Sequence, residues 1–181
     1  TSVLQFHESI QTKRLLLRKP ISEDADTIFE TYATDPDVAR FTTWEPHKNI
    51  TETRDFISSC ISEWQENKGW PYVIARKEAP DEPVGMIHLH KTKQDISVGY
   101  VLARTCWGWG IATEAFRAVI DLCFTQNEIY RVSAFCDVEN VASARVMEKT
   151  GLEFEGILKK YEIAPVLSSK PRDCKLYAIT R

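Results

Sequence analysis

Residues 107–114 read Trp-Gly-Trp-Gly-Ile-Ala-Thr-Glu. This small-residue turn lies between an apolar extended run, Ser97–Ala103, and a strongly helical one, Thr113–Phe124. A strand that breaks into a glycine turn and restarts as a helix is suited to holding an anion. Gly108, Gly110 and Ala112 allow main-chain N–H groups to approach it closely, and the helix adds its unpaired first-turn N–H groups and the positive end of its dipole. The chemistry expected is phosphate or pyrophosphate binding; the alternative is a tight turn with no ligand. His88 and His90 share one face of a neighbouring strand, an arrangement that suggests metal. Two histidines without a third ligand are more often structural, so no metal site is expected.

Elements that can position these residues follow from periodicity. Arg14–Arg18 fits a first strand. A helix capped by Ser22 should run to about Asp35-Pro36. Thr42–Asn49, with Trp44, Pro46 and His47, is expected as a loop. A second helix over Thr51–Asn67 places Phe56, Ile57, Cys60, Ile61 and Trp64 at helical spacing. Tyr72–Arg76, Val84–His90 and Ile96–Ala103 read as strands, with Ala79–Pro83 as a turn. After the glycine loop, Ala112, Ala115, Phe116, Val119 and Cys123 form one apolar stripe. Tyr130–Cys136 is a strand, Ala142–Lys149 a short helix, and Glu153–Tyr161 and Asp173–Ile179 the last strands. This is an α/β order, a mixed sheet of about seven strands with helices on both faces.

Length and composition restrict the function classes. One domain spanning 1–181 is the natural reading of 181 residues. A net charge of −3 disfavours binding to nucleic acid or membrane surfaces, which requires a basic field. The stretch Thr1–Lys13 is polar and has no signal-peptide core. Cys60, Cys106, Cys123, Cys136 and Cys174 are odd in number and form no Cys-x-x-Cys pair. They imply a reducing, cytoplasmic compartment.

The order of elements with the motif Trp107-Gly108-Trp109-Gly110-Ile111-Ala112 resembles the GNAT N-acetyltransferases, whose cofactor motif is Gln/Arg-x-x-Gly-x-Gly/Ala. Trp107 departs from the first position of that pattern. The run through Thr113-Glu114-Ala115 is similar to the RimJ and RimL type of ribosomal-protein N-terminal acetyltransferases. Thr12-Lys13-Arg14-Leu15, Arg40-Phe41 with Trp44 and Pro46, Val98-Gly99-Tyr100, Glu139-Asn140 through Ser143, and Glu148–Gly151 agree with that branch. The resemblance spans roughly Thr12 to Ile179. It implies a GNAT fold, mixed and mostly antiparallel, and acetyl-CoA as acetyl donor with no metal.

The resemblance also assigns residues. The cofactor pyrophosphate would lie on Trp107, Gly108, Trp109, Gly110, Ile111, Ala112 and Thr113. The backbone of Tyr100, Val101 and Leu102 would pair with the pantetheine arm, and Asn140 would hydrogen-bond that arm. Ser143 matches the thiolate proton donor of the RimL-like branch. The tyrosine that other members place seven residues after the asparagine is Met147 here. Two acidic positions of relatives are Ser97 and Phe135 in this chain, so the base stays open among Asp95 acting through water beside Ser97, His88 and His90, while Glu45 in the acceptor loop would bind the amine electrostatically. Trp44, Glu45 and His88 are the expected contacts of the acceptor.

An α-amine, with a pKa of about 7.7–8.0, has a usable neutral fraction at pH 7, whereas a lysine amine at about 10.4 does not. Weak base provision therefore favours a protein N-terminus or an amino-acid-like amine, acetylated by direct attack in a ternary complex. The alternatives are a small-molecule acceptor such as a polyamine or antibiotic, and a non-catalytic CoA-binding module. A weak homodimer is a further family expectation.

Overall fold

In the computed structural model, residues 3–181 are described; Thr1 and Ser2, the start of the polar N-terminal stretch, lie outside the described residues. The strands are β1 (Ser9–Gln11), β2 (Leu15–Arg18), β3 (Gly69–Arg76), β4 (Ala79–Thr92), β5 (Asp95–Leu102), β6 (Arg131–Asp137), β7 (Glu153–Glu162) and β8 (Arg172–Thr180). They form one eight-stranded sheet in the order β1-β2-β3-β4-β5-β6-β8-β7. Every neighbouring pair is antiparallel except β5–β6. Among the described residues, no helix is long and apolar enough to cross a membrane.

The helices are α1 (Asp24–Ile28), α2 (Ile50–Glu66), α3 (Ile111–Phe124) and α4 (Val141–Lys149). A π-helical turn, Phe29–Ala33, continues α1. Phe116 of α3 packs edge-on against Tyr100 of β5. Glu63 of α2 reaches His88, which stands opposite Gly99 in the β4–β5 register. Consecutive strand residues point to opposite faces, so α3 and α4 cover one face and α1 and α2 the other. The core between them holds Leu15, Leu17, Ile74, Ile87, Phe116 and Val119, all essentially inaccessible.

Several expectations need correcting. β1 is an eighth strand; three residues of mixed polarity carry no readable period. Ala79–Pro83 belongs to β4, whose register against β3 shifts around Ala75, and these irregularities accommodate Pro80 and Pro83. Ser22 does not cap α1. The N-cap is Glu23, which makes no side-chain cap bond, and the buried Asp24 after it accepts the Ile21 N–H at 2.8 Å while forming a fork with the Arg18 guanidinium. For α2 the cap is Asn49, whose side chain accepts the Glu52 N–H, and Asn67 closes the helix in the left-handed region. Helix α3 begins two residues earlier than periodicity suggested, so Ile111 and Ala112 form its first turn.

Candidate active site

The sheet forks between β5 and β6. These parallel strands pair only at Asp95–Arg131, Ile96–Val132 and Ser97–Ser133. Beyond the fork, Val98–Leu102 pairs with β4 alone and Ala134–Asp137 with β8 alone. The inner edge of β5 therefore offers main-chain groups to an extended ligand lying between the strands. One offer is already taken: the Trp107 indole N–H donates to the Leu102 carbonyl at 3.1 Å.

The glycine loop closes the wide end of this fork. Gly108 and Gly110 both have left-handed φ values, 81° and 75°, which disfavour side chains. The first bond within α3 runs from the Glu114 N–H to the Gly110 carbonyl at 3.0 Å. The N–H groups of Ile111, Ala112 and Thr113 thus have no partner inside the helix, and Gly110 supplies no side-chain cap. Sequence reasoning missed what holds this loop. Glu114 accepts the Thr12 hydroxyl at 2.5 Å, the Arg14 N–H at 2.8 Å and the Arg14 Nε at 2.7 Å, while Arg14 Nη1 donates to the Trp109 carbonyl at 2.7 Å. A depression of about 260 Å³ beside Trp109 and Ile111 is lined by Lys13, Arg14, Arg76 and Lys77 with Glu78 as its one acidic residue, so a basic balance extends past the loop.

On the α3/α4 face of the fork stand Tyr100 and Ser143. Asn140 caps α4, its side chain accepting the Ser143 N–H at 3.2 Å. The Ser143 hydroxyl lies near enough to the Tyr100 phenol to favour its ionised form, but burial outweighs it and pushes the phenol above its ordinary range, so Tyr100 stays protonated at neutral pH. Tyr100 was expected to contribute only backbone; its side chain is an addition. Met147, at the position of the absent tyrosine, is buried in the core. Cys136 is buried and its thiol pushed up to about 11, chiefly by desolvation, which removes it as a nucleophile at neutral pH.

On the α1/α2 face, Ser97 ends the paired part of β5, with His90 opposite it and His88 opposite Gly99. The imidazoles of His88 and His90 stack with centroids 3.8 Å apart. His88 Nε2 lies 2.5 Å from Glu63 Oε2, and the ligand atoms of all three residues lie within 4.8 Å of one another. Burial lowers His88 to about 4 and also lowers His90, while it raises Glu63. Both imidazoles are therefore neutral at pH 7. Glu63 was not foreseen; its signal was a carboxylate on the stripe that carries Phe56 and Cys60.

Asp95, expected to act through water beside Ser97, also has a structural contact. Its Oδ2 accepts the Ser133 hydroxyl at 2.6 Å, and the Arg131 Nε lies 3.8 Å from Oδ1. Burial raises its carboxyl against those two partners. It ties β5 to β6 at the apex of the fork. Farther along α2, Trp44, His47 and Phe56 form an aromatic group, with centroids 5.5 and 6.4 Å apart in sequence of contact. Glu45 is exposed beside it. Trp64 and Trp70 are packing residues whose indoles bond Pro71 and Asn67.

Comparison with known proteins agrees with the forked sheet. A family model described as Acetyltransferase (GNAT) domain matches residues 14–153. The chain belongs to the GNAT N-acetyltransferases. It is similar to the uncharacterized N-acetyltransferase p20 of Bacillus licheniformis, 32% identical over 160 residues that cover 87% of this chain and 89% of that protein. It is also similar to the ribosomal-protein-serine acetyltransferase of Escherichia coli strain K12, 31% identical over 130 residues, 70% of this chain and 69% of that one. The solved RimL ribosomal L7/L12 alpha-N-protein acetyltransferase in complex with coenzyme A shares the fold, with a TM-score of 0.84 at 21% identity over 96% of this chain and 98% of that one.

Proposed function

We propose that this enzyme moves an acetyl group from acetyl-CoA to a primary α-amine, of a protein N-terminus or an amino-acid-like molecule, by direct attack in a ternary complex. The observation that carries the reading is the fork: an unpaired inner edge of β5 leading into a left-handed glycine turn and a bare helix start. The edge suits an amide-bearing arm and the turn suits a pyrophosphate. Between them, the narrow end of the fork is where a thioester would meet both faces of the sheet.

Expulsion of the thiolate calls for a proton, and Tyr100 and Ser143 stand on the donor face to give it. The acceptor enters from the α1/α2 face, past Trp44 and Phe56 toward Ser97. Proton removal falls to water beside Ser97, with Asp95, held by Ser133 through one carboxylate oxygen, on the same strand face. That arrangement suits an amine already partly neutral at pH 7. The similarity to a ribosomal-protein-serine acetyltransferase of Escherichia coli supports a protein acceptor.

The test is acetyl transfer from acetyl-CoA to a panel of peptides with free N-termini, the same peptides N-terminally blocked with an internal lysine retained, and polyamines. Transfer to free N-termini alone is expected. Transfer to lysine or polyamine alone would overturn the acceptor assignment, and binding of acetyl-CoA without transfer to any amine would leave a CoA-binding module.

A further inference from the structure

We propose that Glu63, His88 and His90 form a site for a divalent transition metal ion of the zinc type on the α1/α2 face of the fork. His88 and His90 project from alternate positions of β4, and Glu63 reaches them from α2. Two imidazoles and one carboxylate are a common donor set for such ions, leaving a further position open to water or another ligand. All three donor atoms already lie within 4.8 Å of one another.

The site has been given room. Gly69 stands opposite His90 in β3, and a Cβ there would come within 2.6 Å of Glu63 Oε2. No unusual backbone angle requires glycine at this position. The space is filled by the carboxylate, so the strand sequence and the helix sequence are matched at this point. Glu63 and His88 are both half-buried, and His90 is exposed. The exposed ring can turn out of its stack to aim a nitrogen at an ion that the two buried partners hold.

In the contact between His88 and Glu63 the carboxylate only accepts, so Nε2 carries the hydrogen. An ion entering the site takes the place of that proton; Nε2 gives its hydrogen to solvent and Nδ1 takes one up, so His88 ligates as a neutral imidazole. At bond lengths of about 2.0–2.1 Å, tetrahedral ligand atoms sit roughly 3.3 Å apart, so the 2.5 Å separation opens by less than about 1 Å. The rest of the cluster keeps its backbone.

The test uses tag-free, chelator-treated protein titrated with Co²⁺ by visible absorption and with Zn²⁺ by calorimetry. One equivalent should bind, with visible bands and no sulfur-to-cobalt charge-transfer band. His90→Ala and Glu63→Gln should each weaken binding by on the order of 100-fold or more, at least the upper range for loss of a supporting residue. His47→Ala should change nothing. Acetyl-CoA affinity and thermal unfolding, read on the same samples, report whether each variant is folded and keep this result separate from the transferase reading. Should a variant fail to fold, Gly69→Ala supplies the second route, since crowding Glu63 must also weaken the metal. Absence of binding below about millimolar concentration, binding indifferent to His90→Ala, or a thiolate band would each overturn the site.

Discussion

On the α3/α4 side of the fork the working groups are mostly main chain: the inner edge of β5, the N–H groups at the start of α3 and a turn of two left-handed glycines. On the α1/α2 side they are side chains: Glu63 from a helix, His88 and His90 from a strand, and Trp44, His47 and Phe56 around a loop. A main-chain site needs small residues close together in sequence. A side-chain site needs donors brought together from wherever the fold places them. The first tolerates many side chains but few conformations; the second tolerates loop variation but few substitutions.

The comparison breaks most readily at Gly110. Gly110→Glu places a side chain on a φ of 75° and a carboxylate where an anion should sit. Calorimetry should show acetyl-CoA binding weakened by at least about 100-fold, the sum of backbone strain of about 1–2 kcal/mol and charge repulsion. The variant should keep the side-chain cluster of the other face intact. Undiminished binding would mean that the turn is not what holds the donor, and the main-chain account of that face would fall.

A smaller effect sharpens the comparison from within the donor face, where Tyr100 and Ser143 are the exceptions to main-chain construction. Ser143→Ala and Tyr100→Phe should each lower kcat by on the order of 100-fold, within the span of general-acid catalysis, with little change in the KM for acetyl-CoA. Because the two hydroxyls lie together on one face and serve one proton transfer, the double variant should be hardly worse than either single one. Additive losses would show two independent roles. Equal losses in KM would show that the pair only shapes the binding site.

Legibility in the sequence follows the same division. The glycine turn, its flanking strand and helix, and Asn140 at the head of α4 are local patterns, and each was readable because its chemistry lies within a few residues. The partner of His88 lies 25 residues away on another element, and no period of β4 announces it. Asp95 could be placed on the face of Ser97 by counting, but its bond to Ser133 depends on which strand lies alongside, which is a fact of topology. β1 was lost because three residues cannot show alternation. The Pro-rich start of β4 read as a turn because prolines usually exclude a strand, and only the shifted register against β3 reveals why they do not here.

The smallest expected effect concerns the one place where the main-chain face leans on side chains, the clamp of Glu114 by Thr12 and Arg14. Burial would raise this carboxyl, but the Thr12 hydroxyl, the Arg14 N–H and the Arg14 guanidinium outweigh it and hold Glu114 below its ordinary 4.5. A folded value below the unfolded one means that the clamp contributes fully above about pH 4.5 and is lost as pH falls through the depressed folded value. Glu114→Gln should weaken acetyl-CoA binding by about tenfold or less, since 1.4 kcal/mol is a factor of ten, and lower the Tm by a few degrees, about 2–4 °C for a chain of this size. The Tm gap between the parent and the variant should stay constant from pH 7 to about pH 5 and close at lower pH, where the parent loses what the variant never had. A gap that persists undiminished in acid would mean that Glu114 acts through packing alone, and the glycine turn would then hold its shape without the charged brace.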